Sequence, residues 1–189
     1  MNIDIVLVLW ILASILGVIL LCLWIMYNSF IGARNQVKTD FADIDVQLRR
    51  RASLIENLVA LVREYAKHEN ETFSQVAEAR SALDKPRGAK ETQAIDNMLT
   101  SALRSLFAVS EAYPKLLASE NYKTLRDDLK ETEDSIARYR EEYNQTVLAF
   151  NTNIQIFPNL LAAKLFGFKD EELFVEESGG RMDVKVSAS

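Results

Sequence analysis

One cysteine, one histidine, three prolines and six glycines in 189 residues leave little room for several kinds of chemistry and of fold. A single Cys excludes an internal disulfide framework. One His with one Cys cannot furnish the imidazole and thiolate ligands of a zinc or transition-metal site, so neither a metal nor a cofactor is expected. So few Gly and Pro remove the turn punctuation that a β-sandwich or a doubly wound α/β fold requires, and the chain reads as all-α. With 22 Lys and Arg against 27 Asp and Glu, the chain also lacks the basic excess that holds phosphate backbones, so no nucleic-acid partner is expected.

Charge is missing altogether from one stretch. Ile5 to Tyr27 reads IVLVLWILASILGVILLCLWIMY, with no ionisable side chain other than Cys22 and Tyr27. As a helix it would extend about 34 Å, enough to cross a hydrocarbon core. Ile5 opens this anchor, Trp24 and Tyr27 supply an interfacial aromatic end, and Trp10 is a weaker counterpart near the start. Gly17 stands four residues after Ala13, a spacing that permits close helix approach but is common in membrane helices. A cleaved signal peptide is disfavoured, because the apolar run is too long, no Lys or Arg precedes it and no small-x-small site comes after it. Leu20 and Leu21 ahead of Cys22 do not make a lipoprotein signal. Arg34 and Lys38 lie just beyond the span and no Lys or Arg precedes it, so the cytoplasmic side is favoured for the rest of the chain, although Asp40, Asp43 and Asp45 lie close by.

The chain therefore divides into an N-terminal segment and transmembrane anchor (1–27), a helical bundle domain (28–175) and a flexible tail (176–189) containing Gly179 and Gly180. After a short junction at Asn28 to Gly32, apolar residues recur in steps of three and four through Phe41, Ile44, Leu48, Ile55, Leu58, Val62, Tyr65, Val76, Ala79 and Leu83. One Gly and no Pro in 28–84 allow a helix of about 57 residues running straight on from the membrane, with a capping-box spacing at Ser53 and Glu56 marking a possible break near Ala52. Arg51 and Glu69 occupy seam positions. Arg51 is expected to snorkel at the edge of the seam, with a register-setting polar layer as the alternative. A second helix spans about 90–113, a third about 121–156, and a short fourth about 159–166 between Pro158 and Gly167. Short connections make consecutive helices antiparallel, giving a bundle of three long helices plus a short fourth.

Residues with chemistry are scarce. A di-iron bundle needs two Glu-x-x-His motifs, and His68 is the single histidine. His68 reads as a solvent-facing helical residue. It has no nucleophile to serve, since Cys22 is in the anchor. Arg49, Arg50 and Arg51 would stand roughly 33 Å beyond Tyr27, too far for headgroup binding by a straight helix. Asp127, Asp128, Glu131, Glu133 and Asp134 alternate with Lys123, Arg126 and Lys130 as a solvated face. The terminal run from Phe157 to Phe168 is denser in hydrophobes than one helix face needs. It is expected to cap the bundle, or to offer a docking face to another subunit or a membrane surface through Phe157, Leu161, Leu165, Phe166 and Phe168.

A long ordered set of residues carries a family resemblance. It comprises Tyr27 and Asn28; Arg34, Asn35, Val37 and Lys38; Asp43 to Leu48; Arg50, Arg51, Leu54, Ile55 and Asn57 to Val59. It continues through Tyr65 to Glu69, Ala79 and Arg80, Glu111 to Pro114, Glu120 and Asn121, and Glu131 to Glu133. Ile136, Tyr143, Asn144, Asn151, Thr152 and FPNLLAAKLFGF from Phe157 complete it. In these the chain resembles the LemA family of bacterial membrane proteins. The resemblance implies a single-pass anchor followed by long antiparallel helices, with no established catalytic activity. Glu56 stands where the family usually has Pro, which favours an uninterrupted first helix, and Asn159 and Leu160 stand where Ser and Asn are usual. The expected role is a non-catalytic scaffold or adaptor at the bilayer, a homo-oligomer or the companion of another membrane protein. An accessory subunit of a membrane enzyme such as a protease is the alternative, and a small-ligand-binding bundle is the third reading.

Overall fold

The structure, a computed structural model, describes residues 3–66, 70–85 and 88–174. Six helices and no strand occur among them: α1 (Ile3–Tyr65), α2 (Asn70–Ala82), α3 (Ala89–Glu111), α4 (Pro114–Leu117), α5 (Glu120–Gln155) and α6 (Asn159–Phe166). The chain is all-α, as its composition requires. The expected tail 176–189, the solvent-facing placement of His68 and the seam position of Glu69 lie outside the described residues.

Sixty-three residues of α1 run without interruption, which at about 1.5 Å per residue is roughly 95 Å. Two regimes share this one helix. Its first part, in which Ile5 lies near the start, exposes large apolar side chains from Leu7 to Ile25 and is long and apolar enough to cross a membrane. From Phe30 onwards the same helix buries a stripe of Val37, Ile44, Leu48, Ala52, Ile55, Leu58 and Val62, which Ala66 just beyond its end continues. The junction expected at Asn28 to Gly32 is plain helix.

The break in the first long helix falls elsewhere than expected. The capping pair at Ser53 and Glu56 is not used: the Ser53 hydroxyl donates to the Arg49 carbonyl one turn back (3.1 Å), and the Glu56 carboxylate pairs with Arg80. Nor does the helix reach residue 84. It ends at Tyr65, ahead of a polar run, Lys67 to Glu71, that offers no apolar side chain to hold another turn on the core. α2 returns antiparallel to α1, as Arg63 over the Phe73 ring (4.5 Å), Arg80 on Glu56 and Arg49 on Asp84 (3.3 Å) show. The soluble part is thus four packed helices, α1, α2, α3 and α5.

α5 lies antiparallel to both α1 and α3. Phe41 meets Tyr143 (centroids 5.8 Å) while Arg50 meets Glu131 (3.8 Å) on one side, and on the other Asp96 meets Arg140 (3.0 Å) while Phe107 meets Tyr122 (6.5 Å). Pro114 ends the second long helix by opening the single turn of α4, and the Ser119 hydroxyl caps α5 by accepting from the Tyr122 amide (3.2 Å). At the other end Gly167, with φ +74°, closes α6: the Phe168 amide donates to the Ala163 carbonyl (2.9 Å) and the Gly167 amide to Lys164. This left-handed turn suits Gly and sends Phe168 back onto Phe30 and Phe150 (5.2 and 6.5 Å).

Beyond α6 the chain forms an extended strap along α5. Asn151 brackets Glu171, donating to its carbonyl and accepting from its amide (2.9 Å each). Seven residues earlier, Asn144 does the same to Phe174 (3.1 and 2.9 Å). Tyr143 donates to the Glu172 carbonyl (2.8 Å), and Phe174 is buried against Phe41 and Tyr143. Burial of the Tyr143 phenol, with the nearby Glu171 and Glu172 carboxylates, pushes its pKa from 10.0 up to about 12. The folded state therefore holds the neutral phenol. Its stabilisation is complete below pH 10 and is lost as pH rises from 10 through 12. Comparing urea unfolding of the wild type and Tyr143→Phe should show a difference of about 1 kcal/mol near neutrality, from the lost hydrogen bond. That difference should shrink or reverse near pH 12; parallel pH profiles would show that the phenol titrates normally.

Candidate functional site

Two surfaces stand out: a charged cluster beneath a groove, and an apolar face at the membrane end of the bundle. The cluster begins with three consecutive arginines. Successive residues on a helix point about 100° apart, so Arg49, Arg50 and Arg51 diverge. Arg49 pairs with Asp45 (2.9 Å) and donates to the Leu83 carbonyl (3.0 Å) at the end of α2. Arg50 reaches Glu131 on α5. Arg51 enters the core.

Arg51 does not snorkel as expected. Only 2% of it is exposed, and its guanidinium donates to Asp96 on α3 at 2.6 Å. Asp96, itself buried, receives Arg140 of α5 on its other oxygen (3.0 Å), and Arg140 also donates to the Gln93 side-chain carbonyl (2.7 Å). One carboxylate thus ties three helices together, and two guanidiniums share it. The reason is desolvation: a guanidinium inside the seam cannot reach water, so it is held only by a buried acid, and this layer fixes the register of α1, α3 and α5. The trio alone is one positive charge in excess, which Glu133 and Glu141, with Arg138 beside them, balance in the adjoining groove, and the buried Nε–H of Arg51 and of Arg140 makes no hydrogen bond.

Above the cluster lies an open groove between α3 and α5 of about 1040 Å³. Arg51, Asp96 and Arg140 reach into it from below, Thr100 and Leu148 line its sides, and Phe174 of the strap closes one end with Arg140 over its ring (5.2 Å). Leu148 is a large apolar side chain left exposed there. Among the described residues no group of three or more His, Cys, Asp or Glu converges as metal ligands would.

The second surface is the terminal segment. Its five predicted residues are separated into two roles. Phe168 packs on the bundle with Ala162 and Ala163, whereas Phe157 (80%), Leu161 (62%), Leu165 (67%) and Phe166 (39%) remain exposed. Tyr27, at the end of the anchor, meets Phe166 (5.0 Å) and Phe168 (6.1 Å) edge-on. The anchor residues Trp10 and Trp24 are exposed along α1, and nothing lies within 4 Å of a side chain built at Gly17. Sequence reasoning does not single out Asp96, Gln93 or Arg140. The available signal is an acid, Asp96, inside the apolar run Ile95 to Leu99, opposite a basic residue in another seam.

A helix long and apolar enough to cross a membrane, continuing into a helical bundle, fits a membrane-anchored, all-α protein of single-pass type. Residues 40–187 match the LemA family, and the chain belongs to that family. It is similar to magnetosome proteins MamQ 1 and MamQ 2 of Paramagnetospirillum magneticum, each 29% identical over 88% of this chain and 72% of theirs. It is also 29% identical to protein LemA of Metamycoplasma hominis, over 89% of this chain and 80% of that one.

The buried cluster makes an asymmetric prediction. Asp96→Ala leaves two guanidiniums without their acid and should cost about 3–5 kcal/mol in urea unfolding. Replacing all three charges together, with Arg51→Met, Asp96→Leu and Arg140→Leu, should recover most of that loss. Additive losses in the triple variant would mean that the cluster is a net source of stability.

Proposed function

We propose that this protein is a non-catalytic, membrane-anchored scaffold or adaptor that acts by self-association or by recruiting a partner at the bilayer. The observation that carries the reading is the continuity of α1 from Ile3 to Tyr65. The helix that crosses the membrane is also the helix on which α2, α3 and α5 pack, so the bundle has no hinge at its base. A partner bound to the bundle is thereby held at a fixed height and direction relative to the lipid.

The groove between α3 and α5 is the recruiting surface this architecture supports best. It presents an exposed apolar edge, Leu148 and Leu173, beside Arg51, Arg138 and Arg140 and, balancing them, Asp96, Glu133 and Glu141, which suits a partner segment with apolar side chains flanked by charges of both signs. Arg34 and Lys38 at the membrane exit favour the cytoplasmic side for the bundle. Membership of the LemA family and the likeness to MamQ support a membrane-associated, non-enzymatic role.

Extraction of the full chain with its native lipids, followed by measurement of the mass of the complex and of co-purifying proteins, tests the proposal. A homomeric assembly supports the scaffold, and a stoichiometric second protein supports the adaptor. In the second case Leu148→Asp, at the exposed apolar edge of the groove, should reduce capture of that protein at least several-fold while helical circular dichroism is unchanged. A lone, monodisperse monomer would overturn both.

A further inference from the structure

We propose that α6, with Phe157 before it, is a second membrane contact: an interfacial foot whose exposed apolar side chains enter the headgroup region of the same bilayer that α1 spans. It rests on the membrane anchoring of α1, not on the scaffold or adaptor role, and it can fail while that role stands.

Height is the first argument. Tyr27 closes the apolar span, and interfacial tyrosines sit at headgroup level. Phe166 and Phe168 touch Tyr27, so the C-terminal end of α6 is at that same level and not farther out along the bundle. The exposed apolar surface of the anchor, ending in Trp24 and Ile25, is continuous through Tyr27 with Phe166.

Chemistry is the second. A helix lying in an interface has an apolar face and cations at its margin. On α6, Ala162 and Ala163 pack inward, whereas Leu161 and Leu165, one turn apart, are exposed together with Phe157. Lys164 is exposed between the two leucines and Lys169 comes just after the helix, placed to meet lipid phosphates. A second copy of the chain seated on the same face would have to bury Lys164 and displace headgroups around Tyr27.

Rigidity is the third. A foot must keep its place on the bundle, and α6 is held at both ends. The Asn159 side chain donates to Asn153 of α5 (2.5 Å), the left-handed Gly167 turn docks Phe168 into the core, and the Asn151 clamp fixes the strap beyond it. Leu161 and Leu165 therefore stay exposed because their helix cannot roll inward. With the foot seated, the bundle is tied to the bilayer at two points and cannot spin freely about α1.

Depth-dependent quenching tests this on the full chain in vesicles of phosphatidylcholine and phosphatidylglycerol. In a Cys22→Ser background, Leu161→Cys and Leu165→Cys would carry an environment-sensitive fluorophore. Val46→Cys, equally exposed on α1 but about 28 Å beyond Tyr27, is the reference. Lipids spin-labelled near the headgroup should quench the labels at 161 and 165 several-fold more than the label at 46, and aqueous iodide should quench them several-fold less. Two results would overturn the foot. One is iodide quenching at 161 and 165 equal to that at 46. The other is shielding from both quenchers together with disulfide cross-linking of 161 to 161, which would give the face to a second copy.

Discussion

A helix that is half in lipid and half in a protein core has to satisfy two solvents with one backbone. The membrane part of α1 needs apolar side chains all round, because the hydrocarbon surrounds it. The bundle part needs them on one stripe only, and its other faces must be polar. The change is made over a few residues, between the last exposed apolar turn at Ile25 and the first core residue at Phe30, without any break in the helix. The rest of the architecture depends on that rigid junction. Position along the helix sets height above the membrane, and the helices packed on α1 inherit that scale.

Arg51 shows how the register of those helices is defended. An apolar seam of leucine, isoleucine and alanine tolerates sliding by a turn, since one apolar contact replaces another. A buried guanidinium does not, because sliding by a turn takes it away from the one acid that holds it in the core. Asp96 is the single carboxylate that meets it, and Asp96 in turn fixes Arg140 on α5. Three helices are thereby locked in one layer, and the same layer underlies the groove. The groove's remaining charges, Glu133, Arg138 and Glu141, stand beside that layer on α5.

Much of the fold is legible in the sequence because it depends on local pattern. The apolar span, the seam residues from Ile44 to Val62, the ends of α3 and α5, and Gly167 as a helix stop all come from periodicity and turn chemistry. The illegible part depends on pairings between distant residues. Ser53 and Glu56 have capping spacing, but each has another partner, the Arg49 carbonyl and Arg80. Arg51 reads as an edge residue because its acid lies 45 positions away on another helix. The strap has no secondary-structure signal at all; its register is written in Asn144 and Asn151, seven apart, whose amides bracket peptide groups that sequence periodicity does not mark.

The geometry also bounds how far the membrane's influence extends. Arg51 lies 24 residues beyond Tyr27, so the charged cluster stands about 36 Å from the interfacial end of the anchor, several Debye lengths at physiological ionic strength. A charged surface at the level of Tyr27 is therefore screened from Arg51 and Arg140 at the groove. A lipid headgroup at the bilayer surface does not reach the groove at that height. The two surfaces are accordingly separated by distance as well as by chemistry: apolar with lysines at its margin at the base, and charged in both signs with an apolar edge farther out. A bundle hinged at its base would blur that separation, and the unbroken turns of α1 between Ile25 and Phe30 keep it sharp.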